Sequence, residues 1–142
     1  MFSNPPRGEI DRLLKGARTI AVIGLSGDPA RPSHSVARAL KGFGYRVIPV
    51  NPRVRGVLGE PAAADLAEAL GRVAPGEQID IVDVFRRPEH VAAIVADCIR
   101  LKLPALWLQQ GVIDAASAER AREAGILTVM DRCIYRDRAA LQ

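Results

Sequence analysis

Gly24 and Gly27 close the apolar, β-branched run 20–23. Three positions apart, they let the backbone turn with its amides facing one point, which is how a phosphate is held. Leu25 and Ser26 lie inside that turn, and Ser33, His34 and Ser35 follow after a Pro-containing insertion. They offer hydroxyls and an imidazole that can carry charge near neutral pH. Arginines recur in two later loops: Arg53 and Arg55 after Asn51-Pro52, and Arg86 and Arg87 after Phe85. A guanidinium meets phosphate oxygens at two points, so these positions fit an anionic, nucleotide-like ligand. Pro52 and Phe85 supply flat apolar surface to such a ligand, and Gln109 and Gly111 bring an amide and a close backbone approach.

Each feature also has a plainer reading. The glycines can simply close a tight strand-to-helix turn, His34 can be a solvated side chain in a first helical turn, and loop arginines are often only solvated. Arg86 or Arg87 can pair with Asp83 or Glu89 instead. Trp107 reads as core rather than ligand contact. The glycine loop departs from the dinucleotide pattern, because no third glycine opens a tight helix turn. The end of the second strand also lacks the acidic residue that holds the ribose of NAD. Arg53 and Arg55 offer charge for a phosphate on the ribose instead, as in NADP or in the 3′-phosphate of coenzyme A.

Five apolar runs, at 20–23, 45–50, 79–85, 105–108 and 126–130, read as strands of a buried parallel sheet. Helical patterns separate them, at about 62–70, 88–101 and 115–124, together with a helix after the first loop. That helix takes Ser33 as its N-cap and Val36, Ala37, Leu40 and Phe43 as its apolar face. An amphipathic helix at 9–15 precedes the first strand, within an N-terminal extension over 1–18, and 56–60 reads as a small extra strand. The alternation predicts a single α/β domain over 1–142: a Rossmann-like, doubly wound fold with a mainly parallel sheet of five to six strands and helices on both faces. In such a sheet ligands sit beyond the carboxyl ends of the strands, so the loops after Ile23, Val50, Phe85 and Leu108 are expected to converge.

Composition narrows the classes. With 142 residues, 49% of them hydrophobic, the chain has the size and apolar content of one globular domain. Its excess of 20 Lys and Arg over 16 Asp and Glu suits an anionic ligand, yet a net charge of +4 is too mild to require nucleic acid, and no groove-reading element is present. No run approaches a membrane span or a signal peptide, so no membrane partner and a cytoplasmic location are expected. Cys98 and Cys133 have no metal-site spacing, and no metal is expected. Cys98 reads as an inert helix residue. Cys133 reads either as a buried hydrophobe or as a thiol at the cleft rim, with Arg132 beside it to lower its pKa.

Six blocks in order carry a family likeness: Val22-Ile-Gly-Leu-Ser26, Arg31-Pro-Ser-His34-Ser-Val-Ala, Val47-Ile-Pro-Val-Asn51-Pro, Val82-Asp-Val-Phe-Arg-Arg87, Trp107-Leu-Gln-Gln-Gly-Val112 and Met130-Asp-Arg-Cys133. From Thr19 to about Cys133 the chain resembles the small stand-alone CoA-binding proteins, whose fold is similar to the N-terminal CoA-binding domain of the succinyl-CoA synthetase alpha subunit. The resemblance implies coenzyme A or an acyl-CoA as the ligand. It places the diphosphate at Gly24, Leu25 and Ser26 and at Ser33, His34 and Ser35. Adenosine and the pantetheine arm would then lie between Asn51-Pro52 and Phe85 to Arg87. The synthetase also needs a second domain with a phosphorylated histidine, and His34 and His90 are the only histidines here, so ligase chemistry is not expected.

Three functions follow as expectations. The first is a CoA-binding module without catalysis of its own, its protein partner unknown. The second is an NADP-binding oxidoreductase or small sugar-nucleotide enzyme, which lacks an obvious acid or base because Tyr45 and Tyr135 fall outside the expected cleft. The third is a scaffold or regulatory subunit with a vestigial pocket.

Overall fold

In a computed structural model, which describes residues 1–141, the chain begins with α1 (Arg7–Gly16), β1 (Thr19–Ile23), α2 (Pro32–Gly42) and β2 (Arg46–Val50). A hairpin of β3 (Gly56–Val57) and β4 (Glu60–Pro61) leads into α3 (Leu66–Leu70) and β5 (Ile81–Val84). A 3₁₀ turn (Pro88–His90) opens α4 (Val91–Arg100), followed by β6 (Ala105–Leu108), α5 (Ala115–Glu123), β7 (Leu127–Met130) and α6 (Ile134–Ala139).

The five long strands form one sheet in the order β2-β1-β5-β6-β7, with every neighbouring pair parallel. Because β1 and β5 are buried along their whole length, their sequences are mostly apolar rather than alternating, Thr19 and Asp83 being the exceptions. Successive residues serve opposite faces. Ile20, Val22, Ile81 and Trp107 pack with Ile10 and Leu14 of α1, Ala37 and Leu40 of α2 and Ile134 of α6. Ala21, Ile23, Val82, Val84 and Leu106 pack with Leu66 of α3, Val91, Val95 and Cys98 of α4 and Ala118 of α5. The chain leaves β1 toward one edge of the sheet and then returns past it toward the other, and right-handed crossovers therefore put the helices on opposite faces. The fold is thus the expected doubly wound parallel sheet. Its switch point lies between β1 and β5, where such sheets open a crevice.

Several local expectations change. Ser33 is not the N-cap of α2: the helix starts at Pro32 with Arg31 as cap, since proline fits the first helical position without losing a hydrogen bond. Phe43 is not on the buried face, because α2 ends at Gly42, and Phe43 instead stacks on Tyr135 with ring centroids 6.1 Å apart. The third helix begins only at Leu66. Asp65 caps it by accepting from the Glu68 amide at 2.9 Å, and Ala63 is drawn into a bridge beside Val50 on the sheet edge. The small strand at 56–60 is a hairpin turning at Leu58 (φ 54) and Gly59 (φ 80), the left-handed pair that tight hairpins use.

Candidate functional site

The loops after β1, β2, β5 and β6 line one open cleft of about 1240 Å³ at the carboxyl edge of the sheet, joined by residues of α2 and α6. Its floor is set by Gly24. The Gly24 N–H donates to the Val50 carbonyl at 2.9 Å, its φ is +82, and a Cβ there would sit 2.2 Å from the Phe85 carbonyl oxygen. Only glycine lets the first and third loops approach this closely.

Beyond Gly24 the first loop is held by its own polar groups. The Ser33 hydroxyl accepts from the Ser26 amide at 3.0 Å, and the Ser26 hydroxyl accepts from the Asp28 amide at 3.0 Å. Asn51 ties the first loop to the second by donating to the Leu25 carbonyl at 3.1 Å while accepting from the Arg53 amide at 2.9 Å. On the other side, Gln109 accepts from the Ile134 amide at 3.0 Å, and Asp131 accepts from the Gly111 amide at 2.8 Å. The cleft is therefore framed before any ligand enters it.

Its charge is one-sided. Arg31, Arg53, Arg86, Arg87 and Arg136 line it, and no Asp or Glu does. Among the described residues, Arg31, Arg53, Arg86 and Arg136 have no carboxylate within 4.0 Å, and Arg87 only reaches Glu89 at that limit. Apolar surface comes from Pro32, Val36, Pro52, Phe85, Pro88 and Val112. Guanidiniums with free donors beside a flat apolar wall fit a ligand with phosphates at one end and a base or chain at the other.

Of the positions singled out from the sequence, Gly24, Ser26, Ser33, Asn51, Pro52, Arg53, Phe85, Arg86, Arg87, Gln109 and Gly111 line the cleft. Leu25, Gly27, His34, Ser35 and Arg55 do not. Leu25 is fully buried in the core between β1 and α2. His34 is neither solvated nor on the cleft wall: it is buried, and its Nδ1 has no partner among the described residues. Ser35 bonds back to the Arg31 and Pro32 carbonyls. Helical spacing explains the split, since Pro32, Ser33 and Val36 share the cleft side and His34 and Ala37 turn inward.

The sequence reading missed Arg31, His90, Gln110 and Arg136 as lining residues. Arg31 was within reach, because it directly precedes a proline at a helix start. Arg136 was not, because α6 carries charged residues around its one buried apolar residue, Ile134, and gives little apolar periodicity. Cys133 lines the cleft and is partly exposed, as expected for a rim thiol, but Arg132 does not serve it. That guanidinium binds Asp137 at 2.6 and 2.7 Å.

Three buried ionisable groups differ in environment. Cys98 lies in the core and burial pushes its thiol up to about 12. Asp83, fully buried on β5 with both oxygens unpartnered among the described residues, is held well above the usual carboxylate range by desolvation. Burial also opposes ionisation of Asp137, but hydrogen bonds from Arg132 and Arg7 outweigh it and keep its pKa low. Among the described residues no group of three or more His, Cys, Asp or Glu side chains is placed to hold a metal ion, and no helix is long and apolar enough to cross a membrane.

The chain is similar to the uncharacterized protein YneT of Bacillus subtilis (strain 168), 38% identical over 133 residues that cover 94% of each chain. A solved structure from Thermus thermophilus superposes with a TM-score of 0.85 at 37% identity, covering 95% of this chain and 98% of that one. A dinucleotide-forming acetyl-coenzyme A synthetase of Ca. Korarchaeum cryptofilum shares the fold, with a TM-score of 0.68 at 18% identity over 86% of this chain and 28% of its own. The family model for a CoA binding domain matches residues 18–138, so the chain belongs to that family of CoA binding domains.

Proposed function

We propose that this protein is a cytoplasmic CoA-binding module that holds CoA or an acyl-CoA by its nucleotide diphosphate and performs no catalysis of its own. The observation that carries this reading is the cleft at the β1/β5 switch point, lined among the described residues by five guanidiniums and no carboxylate. In this reading Gly24, Ser26 and Ser33 meet the diphosphate, where the close backbone approach at Gly24 leaves no room for a side chain. Arg53, Arg86 and Arg87 balance the phosphates, while Pro52 and Phe85 face the adenine or the pantetheine arm. Gln109 and Gly111 form the opposite wall. Leu25 contributes its carbonyl to the frame, and His34 and Ser35 support the start of α2.

The NADP-dependent alternative finds no tyrosine in the cleft to act as its acid. The Tyr45 hydroxyl is buried against the Leu14 carbonyl, and Tyr135 lies outside the lining. Calorimetric titration with CoA, acetyl-CoA, NADP and NAD, on protein checked for co-purified ligand, tests the proposal. Preferential binding of the CoA species is expected. Preference for NADP would replace the reading with a redox one, and binding of none of the four would leave a scaffold.

A further inference from the structure

We infer that the segment 1–17, which lies outside the family match, is a strap that positions the Cys133–Arg136 wall of the cleft, with Arg7 and Asp137 as its positioning residues. The inference rests on the cleft being the ligand site. Its starting point is that β7 is an edge strand with no sheet neighbour on its outer side. Asn4 takes the place of one: its side-chain amide donates to the Met130 carbonyl at 3.0 Å and accepts from the Met130 amide at 2.7 Å. The strand end is thereby fixed where the chain turns, at Asp131 with φ 60, into α6.

A six-residue helix has little stability of its own, so its place depends on what grips it. Ile134 anchors it in the core, and Asp137 anchors it in charge. Arg7 of α1 donates to the Asp137 carboxylate at 2.9 Å and to its carbonyl at 3.2 Å, while Arg132 holds the same carboxylate from the loop. Arg7 is itself steadied by Asp11 at 2.9 Å. Arg136, the residue before Asp137, and Cys133, the cap of α6, are the two groups this turn presents to the cleft. Neither Arg7, Asn4 nor Asp137 lines it. The N-terminal segment thus acts on the site only through the turn it holds.

The test compares the full chain with Arg7→Ala, Arg7→Lys, Asn4→Ala and Asp137→Asn in two assays: the affinity for CoA and the rate at which N-ethylmaleimide alkylates Cys133. A freed turn should weaken CoA binding by about five-fold in Arg7→Ala and in Asp137→Asn, within the range for residues that act on a site without touching its ligand. It should also change the alkylation rate, and Arg7→Lys should restore part of both. Unchanged affinity and unchanged alkylation in Arg7→Ala, alongside a lowered melting temperature, would overturn the inference and leave the network purely structural. Should Asp137→Asn fail to fold, Arg7→Ala still decides, because that side chain is 43% exposed. If the unaltered protein does not bind CoA, the proposed function fails, and the alkylation rates still judge the strap.

Discussion

Arg7 and Arg132 share the carboxylate of Asp137, whereas Arg31, Arg53, Arg86 and Arg136 stand in the cleft with no carboxylate in reach among the described residues. The first group closes its own charge: two guanidiniums and one buried acid form hydrogen bonds that pin α1, the β7–α6 turn and α6 together. The second group leaves its charge open. Like charges gathered in one crevice repel each other and add nothing to the folded state, so their concentration is intelligible only if an anion comes to them. In the proposed reading the same residue type serves structure in one cluster and recognition in the neighbouring cleft, and its carboxylate neighbours tell the two apart.

The largest expected effect breaks the cleft half of the comparison. Removing Arg53 and Arg86 together should weaken CoA binding by about 100-fold, since a hydrogen bond to a charged group contributes about 1.5–3 kcal/mol. Melting temperature should stay within about 2 °C, as expected for surface positions away from structural contacts. A large fall in melting temperature with unchanged affinity would place these arginines in the structural class.

Next comes the paired corner. Asp137→Ala leaves Arg132, 39% exposed, without a carboxylate and Arg7 with Asp11 alone, and discounted for solvent access the cost should be about 1–3 kcal/mol in denaturant unfolding. No loss of stability would show that the cluster is as neutral as an exposed ion pair.

The smallest effect concerns acids in place of arginines, and it contrasts Asp83 with Asp137. Burial disfavours the Asp83 carboxylate in the folded state and raises its pKa, while the unfolded chain releases the proton above about pH 4. Its folded pKa is raised, so stability falls as pH rises from there toward the folded value. Asp137 is lowered, so its contribution is present above about pH 4 and is lost as pH falls through the folded value. Asp83→Asn should flatten the decline on the high-pH side of pH 4 and leave the acid limb in place. An unchanged profile between pH 4 and pH 8 in unfolding experiments would show that Asp83 finds a partner in solution.

The sequence made the sheet legible because each strand is a short, mostly apolar run, and parallel strands buried on both faces have that form. The cleft was legible for a related reason. Loops at the carboxyl ends of such strands converge, and their residue types name a ligand class without any distance. Other features depend on packing that no local pattern reports. Ser33 turned from cap to loop partner because Pro32 could start the helix. His34 turned inward because residues three or four apart share a helix face, and it shares the core face with Ala37. The α6 helix escaped notice because Asp137 and Arg7, 130 positions apart, supply what its own sequence lacks.

Hydrogen exchange read by mass spectrometry, with and without saturating CoA, tests the division between the two sets of arginines most directly. Slowed exchange on adding CoA is predicted in segments 24–33, 51–53, 85–90 and 109–112, with the α1 helix slowed far less than these loops. Protection centred on α1 and the far side of α6, with the four cleft loops unaffected, would contradict it.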